Sequence, residues 1–260
     1  FGPSGNIKSI EATENIKVNQ KIEKVFYDTD LKAADAIVDL RKSVPEYQLS
    51  QLMSIGIMGL KKNRKLVPTR WSITATDDII SKDYIKDIKN YNSIHNYRLY
   101  WGNYLGNHYL ILMFPDVWSY ELFESSLPDN LPRTDSDVYT ATDYENYYGR
   151  KSYADNTVGG YYAARLSLLE ELKKLRSQAS CLLLRYVTSE YSAPLGVFVV
   201  RQAVRKSLVS EKYEFNTKNE MLDFARNLVL TRLRYDINAQ LKSSILLSKF
   251  NSQTKLNNFF

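Results

Sequence analysis

The chain has 260 residues and a formal net charge of +6, from 35 Lys and Arg against 29 Asp and Glu. Because 44% of the residues are hydrophobic and 13% are aromatic, the composition excludes an intrinsically disordered or collagen-like chain. A single Cys excludes an internal disulfide and a cysteine-rich zinc site, and no apolar run approaches the ~20 residues that a membrane-spanning helix needs. We therefore expect a folded, soluble protein of a reducing compartment.

Helical spacing of apolar residues dominates the first ninety residues. Glycines and a proline near the start predict an irregular segment over residues 1–20. Apolar residues three and four positions apart then predict amphipathic helices near residues 31–40, 48–60 and 81–89. The first third of the chain is therefore predicted to be mainly helical.

The middle of the chain changes to strand-like patterns. Short aromatic and aliphatic runs at residues 97–101, 108–114 and 120–124 are separated by glycine, asparagine or proline and predict an antiparallel meander. Residues 126–160 are rich in Asp, Ser, Thr, Asn and Tyr. They predict either a long loop or an ordered functional insertion.

The last hundred residues return to helical patterns. Amphipathic or apolar spacing predicts helices over residues 161–179, 197–208 and 218–247, the last with an interruption near Asp236. An apolar run over residues 181–187 predicts a buried strand between the first two helices.

These patterns together predict an α+β fold in which helices pack around a small antiparallel sheet. We predict a single domain over residues 1–250 that contains the polar insertion. An exposed tail over residues 251–260 completes the predicted organisation.

Positive charge is concentrated in two regions. Residues 161–260 hold 16 basic and 8 acidic residues, and a denser basic cluster without acids lies just before Trp71. Basic side chains neutralise phosphates and aromatic rings stack on bases, so both regions are candidates for nucleic-acid binding. The alternatives are a solvated helical surface and a solvated loop that leads to a core tryptophan. The denser cluster consists of Lys61, Lys62, Arg64, Lys65 and Arg70.

The usual enzyme signatures are missing from the sequence, which has no phosphate-cradling glycine loop, HExxH motif or nucleophile elbow. The candidates for catalysis are Asp77 and Asp78, with Asp143 and Glu145 from the polar insertion. Carboxylates that converge on a divalent metal ion can support phosphodiester hydrolysis. The alternative is that Asp77 or Asp78 caps a helix that starts near Ile79.

The sharpest local pattern lies at the carboxyl end, where Gln253, Leu256, Phe259 and Phe260 are spaced as a short 3₁₀ turn requires. Such a turn places the apolar side chains together as a plug, and the glutamine can bind a second pocket. Burying these three side chains is worth roughly 5–8 kcal/mol before the ordering of a flexible tail subtracts several, which suits a reversible tether. The alternative is a tail that folds back on its own core.

Two segments resemble known ones. The tail resembles the box by which replication and repair proteins attach to the sliding clamp PCNA. The run from Leu66 to Ala75, followed by Asp77 and Asp78, resembles the hallmark segment of the archaeal Nre family, whose members are regarded as DNA repair proteins. Further matching residues are Asp143, Tyr144, Glu145, Gly149, Arg150, Gly159, Gly160, Tyr161, Tyr162, Ala164, Arg165, Leu166, Tyr191, Pro194, Leu195, Gly196, Arg201 and Arg205.

The resemblance implies a DNA repair factor of the archaeal cytoplasm, associated with the nucleoid, whose partners are PCNA and DNA and not a membrane. Members of the family commonly carry a cysteine-rich, finger-like segment near the N-terminus, which this chain lacks. The source protein is then expected to be a short form or to have lost that segment, and Phe1 in place of Met indicates a processed chain or a piece of a longer one. No zinc site is therefore expected, whereas a divalent metal ion stays open.

The leading hypothesis combines these observations. The protein attaches to PCNA through its C-terminal motif and binds DNA through a basic and aromatic surface, which includes the basic cluster, Trp71, Arg150, Arg165, Arg201 and Arg205. One alternative is a clamp-tethered, metal-dependent enzyme, nuclease-like, that acts on damaged DNA. Another is a noncatalytic repair scaffold, which would bind the clamp without binding DNA.

Overall fold

The computed structural model describes residues 17–129, 138–193 and 195–252. The chain divides into two compact units, Phe1–Thr69 and Arg70–Phe260. The predicted clamp-binding residues lie outside the described residues: Gln253, Leu256, Phe259 and Phe260.

The first unit is helical in its described part. Helices α1 (Gln20–Tyr27), α2 (Ala33–Leu40) and α3 (Glu46–Ser54) are followed by one 3₁₀ turn, Lys61–Asn63. The helices present apolar faces to a small core. Its buried members include Ile22, Val25, Ala36, Ile37, Leu40, Val44 and Leu49.

The second unit is built on a six-stranded sheet with the strand order β4-β3-β5-β2-β1-β6. The strands are β1 (Tyr97–Tyr104), β2 (Asn107–Phe114), β3 (Ser119–Ser126), β4 (Tyr139–Glu145), β5 (Ser180–Val187) and β6 (Glu211–Phe215). All neighbouring strands pair antiparallel except β3 and β5, which are parallel. The sheet is therefore mostly antiparallel.

Helices cover both faces of this sheet. Their bounds are α4 (Thr69–Ile88), α5 (Val158–Leu175), α6 (Val197–Ser207), α7 (Lys218–Leu233), α8 (Asn238–Ser243) and α9 (Ile245–Ser252). Side chains of α4, α5 and α6 share one hydrophobic core with the sheet, and side chains of α7, α8 and α9 share the other. Within the described residues no helix is both long enough and apolar enough to cross a membrane.

Strand β2 shows how the sequence specifies two cores. Alternate residues of a strand point to opposite faces. Tyr109, Ile111 and Met113 accordingly belong to the core beneath α4–α6. Leu110, Leu112 and Phe114 belong to the core beneath α7–α9. The unbroken apolar run of this segment is thus that of a strand buried on both faces.

Close approach of helices to the sheet depends on two glycines. A Cβ atom at Gly102 in β1 would lie 2.5 Å from the Cα of Ser207 in α6. A Cβ atom at Gly160 in α5 would lie 2.5 Å from a carboxylate oxygen of Glu124 in β3. Because the contact at Gly102 is with backbone, that position requires glycine, whereas at Gly160 the end of the Glu124 side chain would have to shift.

The predicted α+β class is confirmed, and so are most of the central strands and C-terminal helices. The predicted meander holds for β1 and β2 but not for β2 and β3, because β5 lies between them. The polar insertion contains an ordered strand, β4, and residues 211–215 form an edge strand that the sequence pattern did not predict. Helix α4 begins at Thr69 rather than near residue 81.

Candidate functional site

A buried arginine joins three elements on the α4–α6 side of the sheet. Arg165 of α5 donates hydrogen bonds from Nη1 to Glu145 Oε2 (2.7 Å) and from Nη2 to Asp78 Oδ1 (2.5 Å). The side chains of Arg165 and Glu145 are 3% and 0% exposed, against 23% for Asp78. Desolvation opposes the charge of the guanidinium, but Glu145 and Asp78 raise the pKa of Arg165 above its ordinary value. It therefore remains a cation inside the protein.

A second buried ion pair involves Asp77, the residue that precedes Asp78 in α4. Arg201 of α6 donates from Nη2 to Asp77 Oδ1, and both side chains are almost fully buried. Because successive helix residues point about 100° apart, Asp77 and Asp78 reach arginines on two different helices. The adjacent aspartates therefore tie α4 to both α5 and α6.

A third pair shapes the segment between β4 and α5. Arg150 contacts Asp143 Oδ1 at 3.0 Å and donates to the main-chain carbonyls of Tyr144 (3.0 Å) and Tyr153 (2.9 Å). Asp143 Oδ2 accepts hydrogen bonds from the amides of Asn156 and Thr157 and from the Thr157 hydroxyl. These contacts fix the backbone that enters α5.

Two tyrosines at the start of α5 lie against the arginines. The guanidinium groups of Arg150 and Arg165 lie 5.3 and 5.4 Å from the centroid of the Tyr161 ring. Arg165 also lies 5.2 Å from the Tyr162 ring. Burial, reinforced by Glu145, raises the pKa of Tyr161, so its hydroxyl stays protonated. Together with the four ion pairs, these rings form what we call the arginine centre: Asp77, Asp78, Asp143, Glu145, Arg150, Tyr161, Tyr162, Arg165 and Arg201.

An aromatic array leads from the arginine centre to the surface. Tyr162 stacks on Tyr153 with ring centroids 5.3 Å apart, and Tyr153 lies 5.8 Å from Trp71. The Arg70 guanidinium lies 5.5 Å from the Trp71 ring, and Trp71 is 47% exposed. The interpretation of Trp71 as a core residue is therefore wrong. Arg70, Trp71, Lys151 and Tyr153 form what we call the Trp71 surface.

A cleft of about 230 Å³ opens beside Tyr153, between α4, α5 and the segment that follows β4. Its cationic lining consists of Lys82, Arg150, Lys151 and Arg165, and its one carboxylate is that of Asp78. We call it the arginine cleft. Its cations and its aromatic wall are those expected for binding an anion attached to a ring.

The remaining predicted basic residues lie in different settings. Arg64 donates to the carbonyls of Gly59, Phe26 and Asp28, at 2.7, 2.6 and 2.6 Å, and so caps the end of α1. Arg205 makes a bidentate pair with Glu170 at 2.7 and 2.8 Å. Three lysines of the basic cluster are exposed, on the first unit: Lys61, Lys62 and Lys65.

The candidate metal ligands are paired with arginines. Asp77, Asp78, Asp143 and Glu145 each contact a guanidinium group, and Asp78 also contacts Lys82 at 2.6 Å. Among the described residues, no three His, Cys, Asp or Glu side chains are arranged to hold a metal ion. A metal-dependent reaction stays a prediction that this geometry does not support. The alternative interpretation of Asp77 or Asp78 as a helix cap is wrong, because both lie in the middle of α4.

Lys82, Lys151 and Tyr153 of this region were not predicted from the sequence. Asp78 and Lys82 have the i, i+4 spacing of a helical ion pair, so that contact was open to prediction. Tyr153 and Lys151 carry no comparable signal, since only the fold brings Tyr153 beside Trp71 and Tyr162 and Lys151 into the arginine cleft. Glu121, which is buried in β3, was also missed.

The fold and this region define the class of protein: an α+β protein in which a buried arginine–carboxylate centre supports an exposed basic and aromatic surface. Two family profiles match the chain, "Archaeal Nre, N-terminal" over residues 1–131 and "Archaeal Nre, C-terminal" over residues 145–259. The chain belongs to the archaeal Nre family.

Curated relatives agree with this assignment. The chain is 37% identical to DNA repair protein NreB and 38% identical to DNA repair protein NreA of Archaeoglobus fulgidus, over 86% and 88% of its length. It is 33% identical over 83% of its length to DNA repair protein NreA of Haloferax volcanii. The matched regions span only 57%, 58% and 52% of these relatives, respectively. No solved structure matches the chain significantly.

Proposed function

We propose that this protein is a DNA repair factor that binds DNA at the Trp71 surface and attaches to PCNA through Gln253, Leu256, Phe259 and Phe260. The names of its relatives support the role in repair. The observation that carries the DNA-binding part is the exposed ring of Trp71, which lies against Tyr153 on one side and beneath Arg70.

The arrangement suits single-stranded or unpaired DNA. Exposed aromatic rings stack on bases of any sequence, at about 1–3 kcal/mol per base, while basic side chains neutralise the phosphates beside them. Trp71 supplies the ring, and Arg70 and Lys151 supply exposed positive charge. Because Tyr153 is tied to Arg150 and Tyr162, the surface is held in place before DNA arrives. On the first unit, taken by itself, the exposed Lys61, Lys62 and Lys65 remain predicted phosphate contacts.

Replacing Trp71 by Ala together with Arg70 by Gln should weaken binding of single-stranded DNA by about 10- to 100-fold, because one stacking interaction and one phosphate contact are lost. Fluorescence anisotropy with a labelled oligonucleotide, measured over a series of salt concentrations, gives the affinity and the salt slope. The slope should fall by about 0.7 for the phosphate contact that is removed.

A matched control is Tyr139→Ala with Lys212→Gln, which also removes one exposed aromatic ring and one exposed positive charge. We expect this variant to bind DNA as the wild type does. Equal losses in both double variants, or no loss in either, would show that DNA does not bind at the Trp71 surface.

The proposed clamp contact is tested separately. Phe259→Ala with Phe260→Ala should reduce affinity for PCNA at least tenfold, because two aromatic side chains no longer enter a pocket on the clamp. Isothermal titration of PCNA with the full chain gives the affinity, and Asn257→Ala with Asn258→Ala is the control. Unchanged PCNA affinity in the phenylalanine variant would remove the tether from the proposal.

A further inference from the structure

The arginine cleft presents donors from three separate elements. Lys82 comes from α4, Arg165 from α5, and Lys151 from the segment between β4 and α5. Lys82 and Lys151 are exposed, whereas the Arg165 side chain is only 3% exposed. Two flexible lysines thus stand at the mouth of a cleft whose wall contains a fixed, planar guanidinium.

Arg165 retains donor capacity. A guanidinium has five N–H groups, and those given to Glu145 and Asp78 are two of them. In the part of the chain that the structure describes, the buried Nε of Arg165 has no hydrogen-bond partner. Because this Nε is also shielded from solvent, an arriving acceptor would instead meet Nη2, the nitrogen that binds the partly exposed Asp78.

Asp78 occupies the place of an anion in this cleft. Its carboxylate lies between Lys82 Nζ, at 2.6 Å, and Arg165 Nη2, at 2.5 Å. It is the least buried of the carboxylates that Arg165 and Arg201 contact. Even when the buried Asp143 and Glu145 are counted, four cations face three carboxylates, so the cleft keeps a positive excess.

The size of the cleft limits its ligand. A volume of about 230 Å³ is smaller than the ~300–1,000 Å³ of most small-molecule sites and fits a phosphate with part of its sugar, not a duplex. A phosphomonoester carries a charge of about −1.5 to −2 at neutral pH and three acceptor oxygens. Donors on three elements match this group better than a phosphodiester, and the rings of Tyr153 and Tyr162 are placed to contact a sugar or base.

We propose that the arginine cleft is a phosphomonoester-binding site in which the incoming phosphate replaces the carboxylate of Asp78 beside Lys82 and Arg165. The phosphate belongs to the end of a DNA strand or to a free nucleotide. The first source rests on the proposed function, because the Trp71 surface would hold the strand whose end enters the cleft.

The probes are a short single-stranded oligonucleotide with a 5′-phosphate, the same oligonucleotide with a 5′-hydroxyl or a 3′-phosphate, and free deoxyadenosine 5′-monophosphate. Binding is followed by fluorescence anisotropy and by competition, with deoxyadenosine as the control competitor. We expect a phosphorylated end to bind about 3- to 10-fold more tightly than a hydroxyl end.

Charge variants separate this site from a structural role. Lys82→Gln with Lys151→Gln should abolish the preference for a phosphorylated end. Lys174→Gln, which removes an exposed charge of α5 outside the cleft, should retain this preference. Asp78→Asn should strengthen phosphate binding about threefold or more, because the competing carboxylate is neutralised. The control is Asp87→Asn, which lies on α4 as Asp78 does and neutralises the ion-pair partner of Lys173. It should leave phosphate binding unchanged.

The outcomes distinguish this inference from the proposed function. Equal affinity for all ends, with no competition by the mononucleotide, would overturn the phosphomonoester site even if Trp71→Ala still weakens DNA binding. Competition by the mononucleotide without any preference for a DNA end would assign the site to a free nucleotide. Loss of phosphate binding in a folded Asp78→Asn variant would contradict the replacement of its carboxylate. Absence of all DNA binding while the mononucleotide still binds would leave the site standing and remove the proposed function.

Discussion

Replacing Arg165 by Leu is expected to lower the free energy of unfolding by about 3–5 kcal/mol. The substitution leaves Glu145, whose side chain is 0% exposed, without its guanidinium partner and leaves Asp78 with only Lys82. A buried carboxylate that loses its counter-ion is among the few changes that cost this much. Urea denaturation followed by circular dichroism measures the loss.

Two further variants test the reason for this loss. Arg205→Leu breaks a pair with Glu170 in which both side chains are more than one-fifth exposed, and it should cost about 1 kcal/mol or less. Adding Glu145→Gln to Arg165→Leu should recover part of the stability, because the stranded charge is removed. Equal costs for Arg165→Leu and Arg205→Leu would mean that the arginine centre is not the electrostatic core described above.

Replacing Glu121 by Ala is expected to cost about 2–4 kcal/mol, through loss of the contact that begins α9. The buried Glu121 carboxylate in β3 accepts hydrogen bonds from the Ser244 hydroxyl (2.5 Å) and from the amides of Ile245 and Leu246 (3.0 Å each). Without it, the buried Leu246 amide loses its acceptor. The exposed Glu190→Ala is the control and should change stability by less than about 0.5 kcal/mol.

The pH dependence of stability gives an independent measure of Glu121. Burial raises the pKa of Glu121 above its ordinary 4.5, against the lowering effect of its hydrogen bonds. The unfolded chain therefore releases this proton at a lower pH than the folded chain. Stability falls as the pH rises from the ordinary pKa through the folded one. This contribution should vanish in Glu121→Gln, and an unchanged pH profile would contradict the assigned burial effect.

Much of the second unit was predictable because its signals are local. Strand β2 alternates between two apolar faces, and α5 has a long apolar stripe, so periodicity alone indicated both elements. Residues 69–80 of α4, about three turns, were missed because Thr69, Thr74 and Thr76 are β-branched and have low helix propensity. Strand β4 was missed because its sequence is polar, and it acquires order by pairing with β3.

The arginine centre was only partly predictable. Its charged residues were predicted as two separate groups, metal-binding carboxylates and DNA-binding arginines, and Tyr161 and Tyr162 only as residues that match the family. The fold joins these groups into ion pairs. Arg165 and its partner Asp78 are 87 positions apart in the chain, and Arg201 and its partner Asp77 are 124 positions apart. Partners at such separation leave no spacing pattern, because the packing of α4, α5 and α6 decides which charges meet.

The arginine centre and the Trp71 surface contain basic residues in different environments. Arg165 and Arg201 hold α4, α5 and α6 together from inside, whereas Arg70 lies outside against Trp71 and Lys151 is exposed at the arginine cleft. Arg201 therefore has a positioning role and Arg70 is proposed to contact DNA, whereas Arg165 both positions the helices and is proposed to contact a terminal phosphate.

Photo-crosslinking tests the central claim, that DNA lies on the Trp71 surface, most directly. Single-stranded DNA that contains bromodeoxyuridine would be irradiated with the full chain, and the adducts would be mapped by mass spectrometry. We predict adducts at Trp71 or Tyr153, with the yield lowered by excess unlabelled strand. If adducts map only to other aromatic residues, and none maps to residues 70–71 or 151–153, DNA does not lie on the Trp71 surface.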